Sequence, residues 1–108
     1  IAVDIFGNPA NYDEIMKIAH SNGMKVLADS AQSYGSEYHG KRAGNIADMT
    51  ATSFYPTKPL AGYGDGGAVF TNNVAENDLI KSCRVHGMSP EDHELFPGCR
   101  NFAEIEGV

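Results

Sequence analysis

Two Asn-x-x-Glu pairs punctuate this 108-residue chain, Asn11 with Glu14 and Asn73 with Glu76, each downstream of a β-prone run. In a capping box the Asn side chain accepts from the backbone amide three residues on, while the Glu side chain reaches back, so the pair marks where a helix starts. Before the first box, Ile1–Ile5 is apolar and β-prone, and Phe6-Gly7-Asn8-Pro9 breaks it. After it, Ile15, Ile18 and Ala19 recur at helical spacing and Gly23 reads as a left-handed stop. A second short strand is predicted at Lys25-Val26-Leu27-Ala28. Strand, helix and strand joined by short connections constrain the chain to an α/β sheet with covering helices.

The rest of the chain extends that pattern. Residues 50–55, "TATSFY", and 67–71, "GAVFT", are β-prone. The helix opened by Asn73 carries Leu79, Ile80 and Cys83 and stops at Gly87. Residues 29–48 are polar and spotted with glycine, so a loop or distorted helix is expected there, and periodicity is weak from Met88 onward. A net charge of −6 argues against a nucleic-acid or anionic-membrane partner, both of which need a basic face. No apolar run approaches a bilayer span and no signal-peptide pattern opens the chain. The two cysteines, Cys83 and Cys99, read as reduced thiols, so a cytoplasmic setting is expected.

In α/β sheets ligands bind beyond the carboxyl ends of strands, and Asp29 directly follows the strand residue Ala28. A second group stands out in "SFYPTKPLAGYGDGGAVF" at 53–70. There Lys58 lies between Pro56 and Pro59, just ahead of four glycines in six residues. Prolines fix backbone angles and glycines permit tight turns, a mount that suits an amine that must be aimed. A lysine that forms a Schiff base with a pyridoxal cofactor needs an acid for the pyridine nitrogen. The plain alternatives are a turn cap for Asp29 and a solvated Lys58. A zinc set of Cys83, His86, His93 and Cys99 is a competing pattern, but structural zinc sites carry tighter cysteine pairs, and no metal is expected.

The motifs "VDIFGNPANYDEI", "VLADSAQSYGSEYHGKRAGNIAD", "TSFYPTKPLAGYGDGGAVFTNN" and "RVHG" occur in order between residue 1 and about residue 87. Together they resemble the DegT/DnrJ/EryC1/StrS family of pyridoxal-phosphate-dependent sugar aminotransferases. The resemblance implies a partial three-layer α/β sandwich, a mainly parallel sheet with covering helices, as in the large domain of fold type I aminotransferases. It makes Lys58 the Schiff-base lysine and Asp29 the acid on the pyridine nitrogen. Gln32 matches the glutamine near the cofactor ring and its 3-oxygen, and Ser53 the serine that binds the phosphate. His86 belongs to the pattern as a packing residue. The loop "GYGDGG" is assigned no chemistry, only a tight Asp-Gly turn into the following strand.

The same resemblance implies transfer of an amino group from glutamate to a nucleotide-linked keto-sugar, with a 3-keto sugar favoured. The setting would be surface-polysaccharide or secondary-metabolite sugar biosynthesis, by a homodimer. Lys58 favours transfer over dehydration, because the family's dehydratases carry histidine there. Residues 1–108 are expected to be a fragment of the cofactor-binding large domain. The upstream phosphate cradle, the stacked aromatic ring and the small C-terminal domain of family members are missing from it. "PGCRNFAEIEGV" is a degenerate echo of the segment that reaches a neighbouring subunit's phosphate, out of register by a residue, so Arg100 and Asn101 are not assigned. The alternative is a non-catalytic remnant that binds no cofactor.

Overall fold

The computed structural model describes residues 1–85 and Gly87. The chain divides into two units, residues 1–72 and 73–108. The first is built on a sheet of β1 (Ala2–Val3), β2 (Leu27–Asp29), β5 (Met49–Ser53) and β6 (Gly67–Thr71), in that spatial order. β1, β2 and β5 run parallel, and β6 returns antiparallel to β5. The expected α/β class with a mainly parallel sheet is what forms.

Helix α1 (Tyr12–Ser21) makes the crossover from β1 to β2. Its start is fixed as the capping box requires, with Glu14 N–H donating to Asn11 Oδ1 at 3.4 Å. Its end is fixed by Gly23, at φ 68°, whose N–H donates to the His20 carbonyl. The second unit's helix, α2 (Val74–Arg84), is closed in the same way. Glu76 N–H donates to Asn73 Oδ1 at 3.2 Å, and Gly87, at φ 79°, donates to the Ser82 carbonyl. No helix among the described residues is long and apolar enough to cross a membrane.

Pairing places Ala2, Ala28, Thr50 and Phe70 side by side, and Val3, Asp29, Ala51 and Val69 in the next row. Since alternate residues of a strand face opposite ways, these rows lie on opposite faces of the sheet. The first is the core face. Ala2 and Ala28 pack there with Val26 and with Tyr12 and Ala19 of α1, flanked by Ile15, Met16 and Tyr38. β5 follows the alternation, with Thr50 and Thr52 buried between half-buried neighbours.

Several elements depart from the sequence pattern, among them β5, expected over 50–55 and observed at Met49–Ser53. The first strand is only Ala2–Val3, because Asp4 turns into a buried polar cluster and Phe6 adopts φ 57° in the turn Ile5–Gly7. Lys25 and Val26 precede β2, since Val26 N–H donates to Asp48 Oδ2 at 2.7 Å instead of to a strand. Between residues 29 and 48 the chain forms a second, two-stranded antiparallel sheet, β3 (Glu37–Tyr38) and β4 (Lys41–Arg42). His39 and Gly40 join its strands with φ 49° and 77°, the paired positive angles of a two-residue type I′ hairpin.

The amino ends of β2 and β5 are tied by a separate cluster. Asp48 accepts from His20 Nε2 at 3.0 Å and from Val26 N–H, and pairs with Lys25 at 3.7 Å. Burial alone would raise the Asp48 pKa. The His20 hydrogen bond, the Val26 amide and the charges of His20 and Lys25 outweigh it, and the carboxyl sits below its ordinary value.

Candidate active site

The parallel strands β2 and β5 end at Asp29 and Ser53. Asp29 pairs with Ala51, and Ser53 stands two residues beyond Ala51, so both side chains project from the same face at the carboxyl end of the sheet. That end is where open α/β sheets hold their ligands. Asp29 Oδ1 accepts from Ala31 N–H at 3.1 Å, which fixes the carboxylate at the start of a tight turn. The turn is held by Ser33 N–H to the Ser30 carbonyl at 3.1 Å, with the exposed Gln32 on it. Ser30 N–H donates to the Ala51 carbonyl at 2.8 Å, and Thr52 Oγ1 donates to the Ser30 carbonyl at 3.1 Å. The turn is therefore bonded to β5 from both sides.

Lys58 lies on the connection from β5 to β6. Tyr55, Pro56, Thr57 and Lys58 form a turn closed by Lys58 N–H to the Tyr55 carbonyl at 2.9 Å. Pro56 occupies the second position, where its fixed φ is preferred. At the base of the connection Phe54 N–H donates to the Gly66 carbonyl, and the Phe54 carbonyl accepts from Gly62 N–H. Close approach demands glycine at Gly67 and leaves little room at Gly62. A Cβ on Gly62 would lie 3.1 Å from the Phe54 carbonyl oxygen, and one on Gly67 would lie 2.7 Å from that of Thr52. Asp65-Gly66 thus leads into β6 from a long connection and does not close a two-residue hairpin. Ser53 Oγ accepts from Tyr55 N–H at 3.2 Å, and Phe54 meets Tyr34 edge-to-face at 6.3 Å. That ring contact joins the Lys58 connection to the segment following Gln32.

Asp29 and Ser53 are thus brought to one edge, Gln32 follows Asp29 by one turn, and Lys58 follows Ser53 by one turn. Among the described residues no hydrogen bond joins these four side chains to one another, and Lys58 is half-buried without an ion pair. Of the alternative metal set only Cys83 is described, and it is exposed; His86, His93 and Cys99 lie outside the described residues, as do Arg100 and Asn101.

Sequence reasoning missed Asp4. It is wholly buried, and it accepts from Tyr12 Oη at 2.6 Å, Ala10 N–H at 3.1 Å, and Ser30 Oγ and Ser33 Oγ at 2.9 Å each. Burial pushes the Tyr12 phenol up, and so do its hydrogen bond to Asp4 and the charges of Asp4 and Asp29. It stays a donor. The available signal was the acid itself, standing inside the apolar run "AVDIF".

The sequence matches the profile of the DegT/DnrJ/EryC1/StrS aminotransferase family over residues 1–98. The chain belongs to that family. Over 98 residues it is 42% identical to the UDP-2-acetamido-2-deoxy-3-oxo-D-glucuronate aminotransferase of Pseudomonas aeruginosa, covering 91% of this chain and 27% of that one. Over 86 residues it is 40% identical to the UDP-4-amino-4,6-dideoxy-N-acetyl-beta-L-altrosamine transaminase of Campylobacter jejuni, with coverages of 80% and 23%. Among solved structures, a DegT/DnrJ/EryC1/StrS aminotransferase from Brucella abortus superposes with TM-score 0.78 at 43% identity, covering 82% of this chain and 24% of its own. S. venezuelae DesV, in complex with a ketimine intermediate, also superposes with TM-score 0.78, at 31% identity and coverages of 92% and 26%. This DegT/DnrJ/EryC1/StrS chain therefore spans about a quarter of the length of the relatives it matches.

Proposed function

We propose that this chain is the cofactor-bearing part of the large domain of a pyridoxal-phosphate-dependent aminotransferase. The enzyme works in the cytoplasm as a homodimer and moves an amino group from glutamate to a nucleotide-linked 3-keto sugar. One observation carries the reading: Asp29 and Ser53 project from one face at the ends of adjacent parallel strands, and the Lys58 connection leaves from that edge. The family's named relatives, aminotransferases of nucleotide sugars, supply the reaction class. The 3-keto preference rests on resemblance to the Pseudomonas enzyme, whose named substrate is a 3-oxo sugar.

The donor set fits the cofactor. A carboxylate that spends one oxygen on the Ala31 amide keeps acceptor capacity on the other for a protonated ring nitrogen. A neutral hydroxyl at Ser53 suits a phosphate dianion, and a half-buried amine without an ion pair among the described residues suits covalent anchoring. When bound, pyridoxal phosphate supplies an electron sink for the carbanion formed at the amino donor's α-carbon. Asp29 holds the proton on the pyridine nitrogen, an electrostatic arrangement fixed before substrate arrives. Gln32 would face the ring on the side of its 3-oxygen, and Ser53 Oγ would donate to the phosphate. Lys58 Nζ would anchor the cofactor, and its free amine would take the α-proton as general base.

The test is a visible absorbance spectrum of the full-length enzyme mixed with pyridoxal phosphate. A yellow band that borohydride abolishes, and that Lys58→Ala lacks, supports the reading; Lys58→Ala should also lose transamination. A colourless wild-type protein, or a Lys58→Ala variant with near-normal turnover, refutes it. Incubation with glutamate and matched 3-keto and 4-keto nucleotide sugars tests the preference, and amination at C4 alone overturns it.

A further inference from the structure

The two loops at the carboxyl end of the sheet are fastened from beneath by one carboxylate. An ionised carboxylate accepts at about four positions, and Asp4, fully enclosed, has all of them filled. Tyr12 Oη and Ala10 N–H, on the segment that leaves β1, donate to Oδ1. Ser30 and Ser33, on the turn that leaves β2, donate their hydroxyls to Oδ2. Asp4 N–H also donates to the Asp29 carbonyl at 3.0 Å. Asp29 is therefore held through its own carbonyl, and Gln32 lies between two serines bonded to the same oxygen.

Core stability alone does not call for this arrangement. A buried carboxylate is costly unless fully hydrogen-bonded, and apolar residues of similar volume serve a core as well or better. A saturated carboxylate does what an apolar side chain cannot: it fixes the rotation of the turn by two directed bonds. We propose that Asp4 is a positioning residue, acting through the Ser30 and Ser33 hydroxyls to orient Asp29 and Gln32 toward the cofactor. This rests on the reading that Asp29 and Gln32 face pyridoxal phosphate.

The test is a double-mutant cycle on cofactor affinity. Ser33→Ala removes one donor and leaves Asp4 with Tyr12, Ala10 and Ser30, so the core is retained. Pyridoxal phosphate is titrated by visible absorbance into the full-length enzyme as wild type, Ser33→Ala, Asp29→Asn and the double variant, with the thermal midpoint of each cofactor-free protein measured alongside. Ser33→Ala should weaken cofactor binding about tenfold in the wild-type background and about twofold or less in Asp29→Asn, because its effect passes through Asp29. Ser33→Thr, which keeps the hydroxyl, should restore affinity. Ser30→Ala runs the same cycle should Ser33→Ala misfold. Equal weakening in both backgrounds, tracking the thermal midpoint, overturns the positioning role and leaves the functional reading intact. A wild-type protein that takes up no pyridoxal phosphate overturns both.

Discussion

Replacing Tyr12 by phenylalanine isolates the hydrogen bond beneath the site. The ring is 1% exposed, and its edge-to-face contact with Tyr38, at 5.8 Å and 81°, survives the change. What is lost is a 2.6 Å bond to a carboxylate with 0% exposure, which water cannot readily replace. Hydrogen bonds to charged groups contribute about 1.5–3 kcal/mol, so a loss of about 2 kcal/mol is expected at pH 7. The pH dependence adds an internal control. The folded-state phenol pKa lies above its ordinary value of 10.0, driven first by burial and then by Asp4. A raised pKa contributes stability that is complete below pH 10 and is lost as pH climbs toward the folded value. Tyr12→Phe has no such limb, so the gap between the proteins should shrink by about 1.4 kcal/mol between pH 7 and pH 11. Urea unfolding followed by circular dichroism at pH 7 and pH 11 measures both quantities. A gap under about 0.5 kcal/mol at pH 7, within the range of inconsequential substitutions, refutes the energetic argument. A gap that stays constant at pH 11 refutes the electrostatic one.

On the role proposed for Asp29, Asp29→Asn in the full-length enzyme should keep the fold and some of the cofactor while turnover falls by orders of magnitude, since an amide cannot hold the ring nitrogen protonated; unchanged turnover in a steady-state assay sinks that role. Ser53→Ala should weaken cofactor retention by about 1–3 kcal/mol, the scale of a charge-assisted hydrogen bond, measured by dialysis, with rate at saturating cofactor preserved. Asp48→Asn acts at the opposite end of the sheet. Because the Asp48 pKa is lowered on folding, its contribution is present above the ordinary value of 3.8 and lost as pH falls through the folded value. The variant should therefore be less stable at neutral pH and show a shallower acid limb in urea titrations between pH 5 and pH 2.

The helix caps were legible because each is a local contract: Asn11 with Glu14, Asn73 with Glu76, Gly23 and Gly87 all sit within one turn of what they satisfy. The strands β5 and β6 were legible from β-prone composition, and β2 from its apolar run. Positions whose bonding crosses the chain were not. Val26 leaves the strand for a carboxylate at residue 48, and Asp4 for hydroxyls at residues 30 and 33, separations at which periodicity carries no information. The β3–β4 hairpin escaped because strands of two residues are too short to alternate and His39 takes a positive φ usually left to Asn, Asp or Gly. Of the candidate site, the strand end at Asp29 and the Lys58 mount could be read from the sequence, Gln32 and Ser53 only from the family resemblance, and the strand expected over 50–55 in fact ends at Ser53. That Asp29 and Ser53 share a face depends on the β2–β5 register, which only pairing reveals.

The sheet order β1-β2-β5-β6 has a kinetic side. Each strand of the main sheet pairs with the next one the chain supplies, and β3–β4 closes on itself in between. Among the described residues each strand finds its partner in the next strand of its own sheet along the chain, so loop-closure entropy between them is met in small instalments. During vectorial synthesis β2 can dock on β1 as soon as α1 has emerged, and β5 then meets a finished edge. The Lys58 connection is spanned last, when β6 returns along β5. Lys58 is thus positioned only after the carboxyl ends of β2 and β5 have been assembled.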